Sequence, residues 1–326
     1  MSALNKEYKN RVLRFTPHII IILFLLTLPT FTDLAIVSLV TRILIFGLLV
    51  MALDLVFGYT GLMSLGHAAF FGVAGYTTAI LIKYYHVTSF WIAAPAGVLM
   101  ATLLAAVFGI LALRAKDVYF FLVTMALGQL VFEIFNTSTS AGKLRAMTGG
   151  SDGLGGIPYP DLGFSFSPTS YYYFALIAVA ICAFLLYLIT KSPFGYSMQG
   201  IRESETRMRC LGYNIWLHKY IAFIIAGLFA GVAGVLFIYF NGFISPESVG
   251  FNTGGLILLM LILGGKGTLW GAVIGTGVML ALQYFVGTIT PQRWPLIMGG
   301  TMVGVIMFFR GGIFPLSRNL WKRMRR

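Results

Sequence analysis

Residues 219–240 read KYIAFIIAGLFAGVAGVLFIYF, and Lys219 at the start carries the single charge of this stretch. About 20 consecutive apolar residues in a helix are enough to cross the hydrocarbon core of a bilayer. The stretch therefore predicts a transmembrane helix. Comparable apolar runs, bounded by glycine, proline and charged residues, occur on both sides of it, so the same interpretation extends along the chain.

The composition excludes a water-soluble fold. The chain has 326 residues, of which 58% are hydrophobic and 10% charged, and its mean hydropathy is +0.88. Soluble domains carry roughly 25% charged residues. We therefore expect an all-α integral membrane protein. Ten spans of roughly 20 residues would take about two-thirds of the chain, so residues 1–326 are expected to form a single transmembrane domain.

The apolar runs predict about ten spans, with a range of eight to ten. The eighth run is short and flanked by glycine, and we expect it to be tilted or broken. The predicted spans are 17–30, 34–57, 63–82, 90–113, 118–135, 171–190, 219–240, 253–265, 269–287 and 294–310.

The positive charges indicate how the chain crosses the membrane. The net charge of +13 could suggest nucleic acid, but an excess of Lys and Arg facing anionic lipid explains it in a membrane protein. With the N-terminus inside, 18 of the 23 Lys and Arg lie in inner segments. This predicts that both termini are cytoplasmic. Run 17–30 has a basic flank but no small-x-small cleavage site, so we interpret it as an uncleaved span rather than a signal peptide.

One long loop, residues 136–170, is predicted on the extracytoplasmic side. It contains TGGSDGLGGIP at residues 148–158, and glycines at this density allow backbone conformations closed to other residues. The loop could be an ordinary flexible connection, which its spacing favours, or a shaped lip over a pore or a docking surface.

A second long loop, residues 191–218, is predicted on the cytoplasmic side. Ser192-Pro193 is a typical helix start, and Leu211-Gly212 a typical helix end. The loop is expected to form a short amphipathic helix pair, either a lipid-facing surface element or a docking element for a cytoplasmic partner. Two Glu-to-Arg pairs at i,i+4 are expected to stabilise it: Glu203 with Arg207, and Glu205 with Arg209.

No residue pattern indicates catalysis, a cofactor or a metal. Residues 264–268 read GGKGT, which lacks the spacing of a phosphate-binding loop. We interpret these glycines as allowing close helix approach or a broken helix. The histidines form no H-x-x-x-H pair, and no disulfide is expected between the two cysteines, which lie in a span and in the cytoplasmic loop. These residues are His18, His67, His86, His218, Cys182 and Cys210.

Three charges fall inside predicted spans, where a secondary transporter would need deep carboxylates. Asp54 and Glu133 lie near span ends and are expected to reach the interface. Arg42 lies eight residues into its span, deeper but within snorkelling distance. A path without buried carboxylates favours a pore that is opened by another component.

Glycine-containing turns lead into small-residue helices in both halves of the chain, at residues 58–75 and 264–277. This repetition suggests an inverted repeat with the permeation path between the halves. His67 could contact substrate, although a structural histidine between packed helices is the simpler interpretation. The candidate path residues are Ser64, Gly66, His67, Gly264 and Gly265.

Several motifs, in order over roughly residues 30–315, resemble the branched-chain amino acid ABC-transporter permeases, LivM-like branch. They are GYTGLMSLGHAAFFG at 58–72, MTGGSDGLGGIP at 147–158, SPFG at 192–195, IRESE at 201–205, Leu211-Gly212, SPE at 245–247, LGGKGTLWG at 263–271 and Phe309-Arg310. Each motif alone is weak, but the ordered set is specific.

The resemblance implies a type II importer fold in a prokaryotic inner membrane. It also implies a homologous LivH-like permease partner, two cytoplasmic ATP-binding subunits and an extracytoplasmic substrate-binding protein. Loop 191–218 then corresponds to the segment that couples to the ATPase, with Arg202, Glu203, Glu205, Arg207, Arg209, Leu211 and Gly212 as candidate residues.

The chain departs from the family pattern in two places. Arg207 stands where many relatives have a small residue, and Gly311-Gly312 replaces a usual Pro-Gln. The first change affects the expected contact with the ATPase. The expected substrate is a branched-chain amino acid; similar permeases import urea or short-chain amides, and an independent secondary carrier is a weaker alternative.

Overall fold

The structure is a computed structural model that describes residues 25–136, 147–161 and 166–289, with isolated positions between 296 and 312. Residues 25–31 and 147–148 are helical, and ten further α-helices are described from end to end between residues 34 and 289. They are α1 (Leu34–Asp54), α2 (His67–Tyr84), α3 (Phe90–Ala112), α4 (Asp117–Asn136), α5 (Pro168–Lys191), α6 (Pro193–Glu203), α7 (Glu205–Cys210), α8 (Ile215–Asn241), α9 (Phe251–Gly264) and α10 (Leu269–Ile289).

The remaining regular elements are short. Strands β1 (Leu154–Gly155) and β2 (Phe243–Ile244) pair in antiparallel orientation. Two 3₁₀ turns flank them, at Gly150–Asp152 and Pro246–Ser248.

The predicted all-α membrane fold is confirmed. Seven of the described helical segments are long and apolar enough to cross a membrane: Leu34–Thr60, Phe90–Ala112, Asp117–Asn136, Pro168–Lys191, Ile215–Asn241, Pro246–Gly264 and Leu269–Thr288. Span 17–30 is described only from residue 25, and span 294–310 lies mostly outside the described residues. The predicted number of ten spans therefore stays a prediction.

Helix α2 is absent from these seven because His, Gly, Tyr and Thr lower its hydropathy, yet most of its residues are buried. It packs against α3 and α8. A Cβ atom added at Gly234 of α8 would lie 2.0 Å from the carbonyl oxygen of Phe71 in α2, so the two backbones touch. Small residues therefore bring α2 into the centre of the bundle, where neighbouring helices rather than lipid surround it.

Helix α8 is the centre of the bundle, and glycine also sets its distance from α3. A Cβ atom at Gly227 would lie 2.2 Å from the Cβ of Ala105, and one at Gly231 would lie 2.7 Å from that of Ala101. An added methyl group has no room at either position. The α3–α8 contact is therefore a tight seam of small side chains of the kind that membrane helices use to approach each other.

The eighth predicted span is short, as expected. Helix α9 has 14 residues, and at 1.5 Å per residue it is about 21 Å long, less than the roughly 30 Å hydrocarbon core. The 3₁₀ turn at Pro246–Ser248 extends the helical segment at its N-terminal end.

The two long loops lie at opposite ends of the bundle. Strand β1 in loop 136–170 pairs with β2, which follows α8, and Lys83 at the end of α2 donates a hydrogen bond to the Gly155 carbonyl at 3.2 Å. Loop 191–218 forms α6 and α7 at the other end, next to the start of α8. Which side of the membrane each loop faces stays a prediction.

The described part of loop 136–170 is folded rather than a simple flexible connection. Leu154 and Ile157 are buried, and the Ile157 amide donates to the Gly242 carbonyl at 3.1 Å. Gly153 has a φ of +74°, and a Cβ atom there would lie 2.3 Å from the Ile244 carbonyl oxygen. Glycine is therefore required where this loop lies on β2. A role of this loop as a lip over a pore or as a docking surface stays a prediction.

Candidate functional site

Residues 191–218, which we call the coupling segment after the role that the resemblance implies, start as the sequence predicts. The Ser192 hydroxyl accepts a hydrogen bond from the Gly195 amide at 3.3 Å, and Pro193 occupies the first turn of α6. The segment breaks at Ser204, which adopts an extended conformation (φ −164°, ψ 105°) and caps α7 through its hydroxyl. The predicted helix pair is therefore confirmed, with its break at Ser204.

The prediction of two Glu-to-Arg pairs in this segment is wrong. Glu203 and Arg207 lie on different helices because of the break at Ser204. Glu205 pairs instead with Lys219 in α8, at 2.5 Å. The pair connects α7 to the first turns of α8, a tertiary contact that helical spacing could not reveal.

The end of α7 agrees with the prediction. Gly212 has a φ of +84°, its amide donates to the Arg209 carbonyl at 3.0 Å, and the Tyr213 amide donates to the Met208 carbonyl at 3.1 Å. These two bonds form a Schellman cap, which requires a left-handed residue at the position of Gly212. Leu211 beside it is 71% exposed, so the tip of the coupling segment presents an apolar side chain.

Arg202 joins the coupling segment to the end of α1. Its Nη1 atom donates a hydrogen bond to the carbonyl oxygen of Gly58, in the π-helical segment Leu55–Thr60 that continues α1. Gly61, with a φ of +84°, ends that segment, and a Cβ atom there would lie 3.0 Å from Cγ of Arg202. The arginine side chain thus lies against the last turn of α1.

Asp54 is buried, which corrects the expectation that it reaches the membrane interface. Its Oδ1 atom accepts a hydrogen bond from the Gly267 amide at 2.6 Å, in the turn between α9 and α10. The helical segment runs on to Thr60 and the α9–α10 turn covers the carboxylate, so Asp54 lies within the bundle. Its Oδ2 atom is buried without a hydrogen-bond partner in the part of the chain that the structure describes.

We call Asp54, Gly58, Arg202 and Gly267 the Asp54 junction. A Cβ atom at Gly58 would lie 2.0 Å from Oδ1 of Asp54 and 2.4 Å from the Gly267 amide nitrogen. One at Gly267, whose φ is +79°, would lie 3.2 Å from Nη1 of Arg202. Three parts of the chain that are far apart in sequence therefore meet here: the end of α1, the α9–α10 turn and the coupling segment.

The α9–α10 turn contains the GGKGT sequence at residues 264–268. A Cβ atom at Gly264 would lie 1.9 Å from the Gly271 carbonyl oxygen, so the turn folds tightly against the start of α10. The Lys266 ammonium lies 4.8 Å from the centroid of the Phe57 ring, a cation–π contact. These contacts support the interpretation of the glycines as close-packing residues.

The candidate path residues at the start of α2 are buried in the bundle. His67 Nδ1 lies 3.3 Å from the Ser64 hydroxyl, and the Gly66 amide donates to the same hydroxyl at 3.2 Å. The His67 ring packs edge-on against Phe70 and Phe223, and its Nε2 has no hydrogen-bond partner among the described residues. This environment suits a structural histidine.

The five candidate path residues lie in two places. Leu65, beside Ser64, contacts Gly254 near the start of α9. Gly264 is the last residue of α9 and Gly265 its C-cap, about 15 Å further along the helix axis. The structure therefore does not bring the two sets together. Their role in a path stays a prediction.

A cavity of about 270 Å³ at the coupling end was not predicted from the sequence. It lies between α7, the α3–α4 turn and the first turns of α8, and charged residues line much of it: Lys116, Asp117, Glu205, Arg209 and Lys219. The sequence places these residues in two separate inner segments, and the Lys and Arg excess of those segments was the available signal. In the described residues, no group of three His, Cys, Asp or Glu side chains could hold a metal ion.

Comparison with known proteins gives a consistent result. Residues 35–309 match the family model described as the permease component of the branched-chain amino acid transport system. No solved structure matches.

Individual relatives support the same assignment. The chain is 30% identical to the high-affinity branched-chain amino acid transport system permease protein LivM of Escherichia coli K12 over 307 residues, which cover 86% of this chain and 70% of that protein. LivM of Salmonella typhimurium is 29% identical over the same shares. The autoinducer 2 import system permease LsrC of Escherichia coli O9:H4 is 26% identical over 44% of each chain. The chain therefore belongs to the family of branched-chain amino acid transport system permease components, as a LivM-like, non-catalytic ABC transporter permease.

Proposed function

We propose that this chain is one of two permease subunits of an ATP-driven importer for branched-chain amino acids, and that it forms the translocation path with a LivH-like homologous subunit. The observation that carries the proposal is the attachment of the coupling segment to the end of α1 through Arg202 and Gly58. A segment fixed in this way can pass a movement of a bound ATPase to a membrane-spanning helix.

The transmission step follows from the contacts at the Asp54 junction. When the coupling segment moves, Arg202 pulls on Gly58 in the π-helical segment that continues α1. Asp54, four residues earlier, accepts a hydrogen bond from the Gly267 amide between α9 and α10. Helices α1 and α10 pack along each other. A displacement of one short cytoplasmic segment therefore reaches two membrane-spanning helices at once.

The coupling end is proposed to face the cytoplasm. The segment carries exposed side chains of mixed character, including Tyr196, Arg207 and Leu211, which suit a protein surface in the ATPase. Two ATP-binding subunits would bind beneath the two permeases, and the folded surface of residues 147–161 would face the substrate-binding protein at the other end. Both termini are then cytoplasmic.

The choice of substrate rests on similarity to LivM, whose name specifies branched-chain amino acids. LsrC is named for autoinducer 2, and the permease NupQ of Bacillus subtilis, 33% identical over 25% of each chain, is named for guanosine. The longer match to LivM favours an amino acid. Urea or a short-chain amide is the alternative within the family, and an independent secondary carrier is less favoured.

Reconstitution tests this function. The two permeases, the two ATPase subunits and the binding protein are assembled in proteoliposomes, and uptake of labelled leucine and urea is measured with and without ATP. We expect ATP-dependent leucine uptake. Uptake driven by an ion gradient through this chain alone would contradict the proposal, and ATP-dependent urea uptake without leucine uptake would change the substrate.

A variant pair tests the transmission step in the same assay. Arg202→Ala should lower both uptake and the stimulation of ATP hydrolysis by loaded binding protein, whereas Arg202→Lys should retain part of each. Lys191→Ala is the matched control. This exposed lysine is the last residue of α5, and its ammonium lies over the Tyr187 ring of the same helix. Equal activity of Arg202→Ala and Lys191→Ala in assembled complexes would remove Arg202 from the coupling path.

A further inference from the structure

Arg42 is a charged residue on the exposed surface of a membrane-spanning helix. It lies eight residues after Leu34, the first residue of α1, and so about 12 Å along the helix. Its guanidinium carbon lies 5.7 Å from the centroid of the Phe46 ring, one turn further into the span. The side chain therefore lies along the helix beside Phe46, and a charge at this depth is costly to expose to lipid.

A groove of about 280 Å³ opens beside Arg42, between α1 and α10. A cavity of about 10–15 Å³ is enough to hold one water molecule, so the groove has room for a small solute. Polar groups of α10 line one side, namely Gln283, Tyr284 and Thr288, and the aliphatic side chains of Leu39 and Leu280 line the rest of the groove together with Gly287.

The seam between α1 and α10 is closed on one side of the groove. A Cβ atom at Gly47 would lie 3.8 Å from Val273, and one at Gly277 would lie 3.8 Å from Ile43. The two helices are thus in contact along the half that leads to the Asp54 junction, and they separate towards Thr288. In the orientation proposed above, the groove faces the outside and is closed towards the cytoplasm.

The charge of Arg42 is not balanced by any described residue that lines the groove. Among the described residues, no carboxylate lines it, and the structure records neither a hydrogen bond nor an ion pair for the Arg42 guanidinium. A guanidinium in a polar, membrane-embedded groove is a strong partner for a carboxylate, which it can bind through two parallel N–H donors.

We infer that this groove is the outer part of the translocation path, and that Arg42 binds the carboxylate of an amino acid substrate while Leu39 contacts its aliphatic side chain. The inference rests on the proposed function, since it assigns a contact to that function's substrate. It differs from the predicted path residues at the start of α2, which are buried in the bundle.

Cysteine labelling tests whether the groove is open to water. In a background with Cys182→Ser and Cys210→Ser, Arg42→Cys is compared in the assembled complex with Ile177→Cys, an exposed position nine residues into α5. A membrane-impermeant anionic methanethiosulfonate should react with the first variant and not with the second. Reaction of both variants only with a lipid-soluble maleimide would overturn the inference. So would labelling of Arg42→Cys that occurs in the isolated subunit but is lost on assembly, because a partner subunit would then cover Arg42 and exclude water from the groove.

Transport by charge variants tests the carboxylate contact. Arg42→Gln should lower ATP-dependent leucine uptake by about tenfold or more, as expected for the loss of a charge-assisted hydrogen bond, and Arg42→Lys should lose less. ATP hydrolysis stimulated by loaded binding protein reports assembly of each variant. Unchanged uptake by Arg42→Gln would overturn the inference alone, whereas a wild-type complex without ATP-dependent amino acid uptake would overturn the proposed function together with the carboxylate assignment.

Discussion

Asp54 shows at the scale of one residue why a buried charge is informative. Its position near a predicted span end indicated an exposed carboxylate, but the three-dimensional fold places the Gly267 amide on it. Sequence spacing could not supply this partner, because the two residues are 213 positions apart. The carboxylate accepts a hydrogen bond from the backbone of the α9–α10 turn.

We predict that Asp54→Ala destabilises the protein more than Asp54→Asn. Alanine leaves the Gly267 amide without its acceptor, at a cost of about 1–3 kcal/mol, whereas asparagine retains an oxygen at the same place. Thermal unfolding of the purified subunit in detergent measures the difference. Equal unfolding midpoints for the two variants would show that the Gly267 bond contributes little.

At the scale of elements, the end of α7 was predictable, but the ion-pair partner of Glu205 in that helix was not. Ser192-Pro193 and Leu211-Gly212 are local signals that report helix ends directly, and the structure has both. The break at Ser204 and the pairing of Glu205 with Lys219 depend on how α7 lies against α8, which local sequence does not specify.

We predict that Gly212→Val and Glu205→Lys each lower coupled transport while leaving membrane insertion intact. A side chain at Gly212 meets no neighbour within 4 Å, so the effect of valine comes from the left-handed backbone, about 1–2 kcal/mol, and Gly212→Asn should be milder. Glu205→Lys replaces the ion pair with repulsion from Lys219. ATP hydrolysis and uptake in proteoliposomes measure both effects, and wild-type values for both variants would make this segment a passive surface element.

The scale of the whole molecule shows which features composition and periodicity could predict. Long apolar runs predicted eight helices that the structure describes, including the short α9, because burial in lipid selects for length and hydropathy. The central position of α2 followed from small-residue packing, which hydropathy does not measure. The Arg42 groove needed the relative placement of α1 and α10, so the sequence could mark the arginine but not its surroundings.

We predict that the two long loops label from opposite sides of the membrane. Ser151 and Tyr196 are both exposed, and neither caps a helix in the structure, unlike Ser204. In the background without Cys182 and Cys210, Ser151→Cys should react with an impermeant maleimide added outside intact cells, and Tyr196→Cys only after the cells are opened. Reaction of both variants in intact cells would contradict the topology.

Helix α8 connects the two ends of the molecule. Its 27 residues make it about 40 Å long. Lys219 near its start holds α7, and its last residue leads into β2, which holds β1. The glycine contacts with α2 and α3 leave no spare space along its middle. A shift of α7 along the membrane normal must therefore either break the Glu205–Lys219 pair or move α8 with it. If α8 moves, the surface at residues 147–161 moves as well.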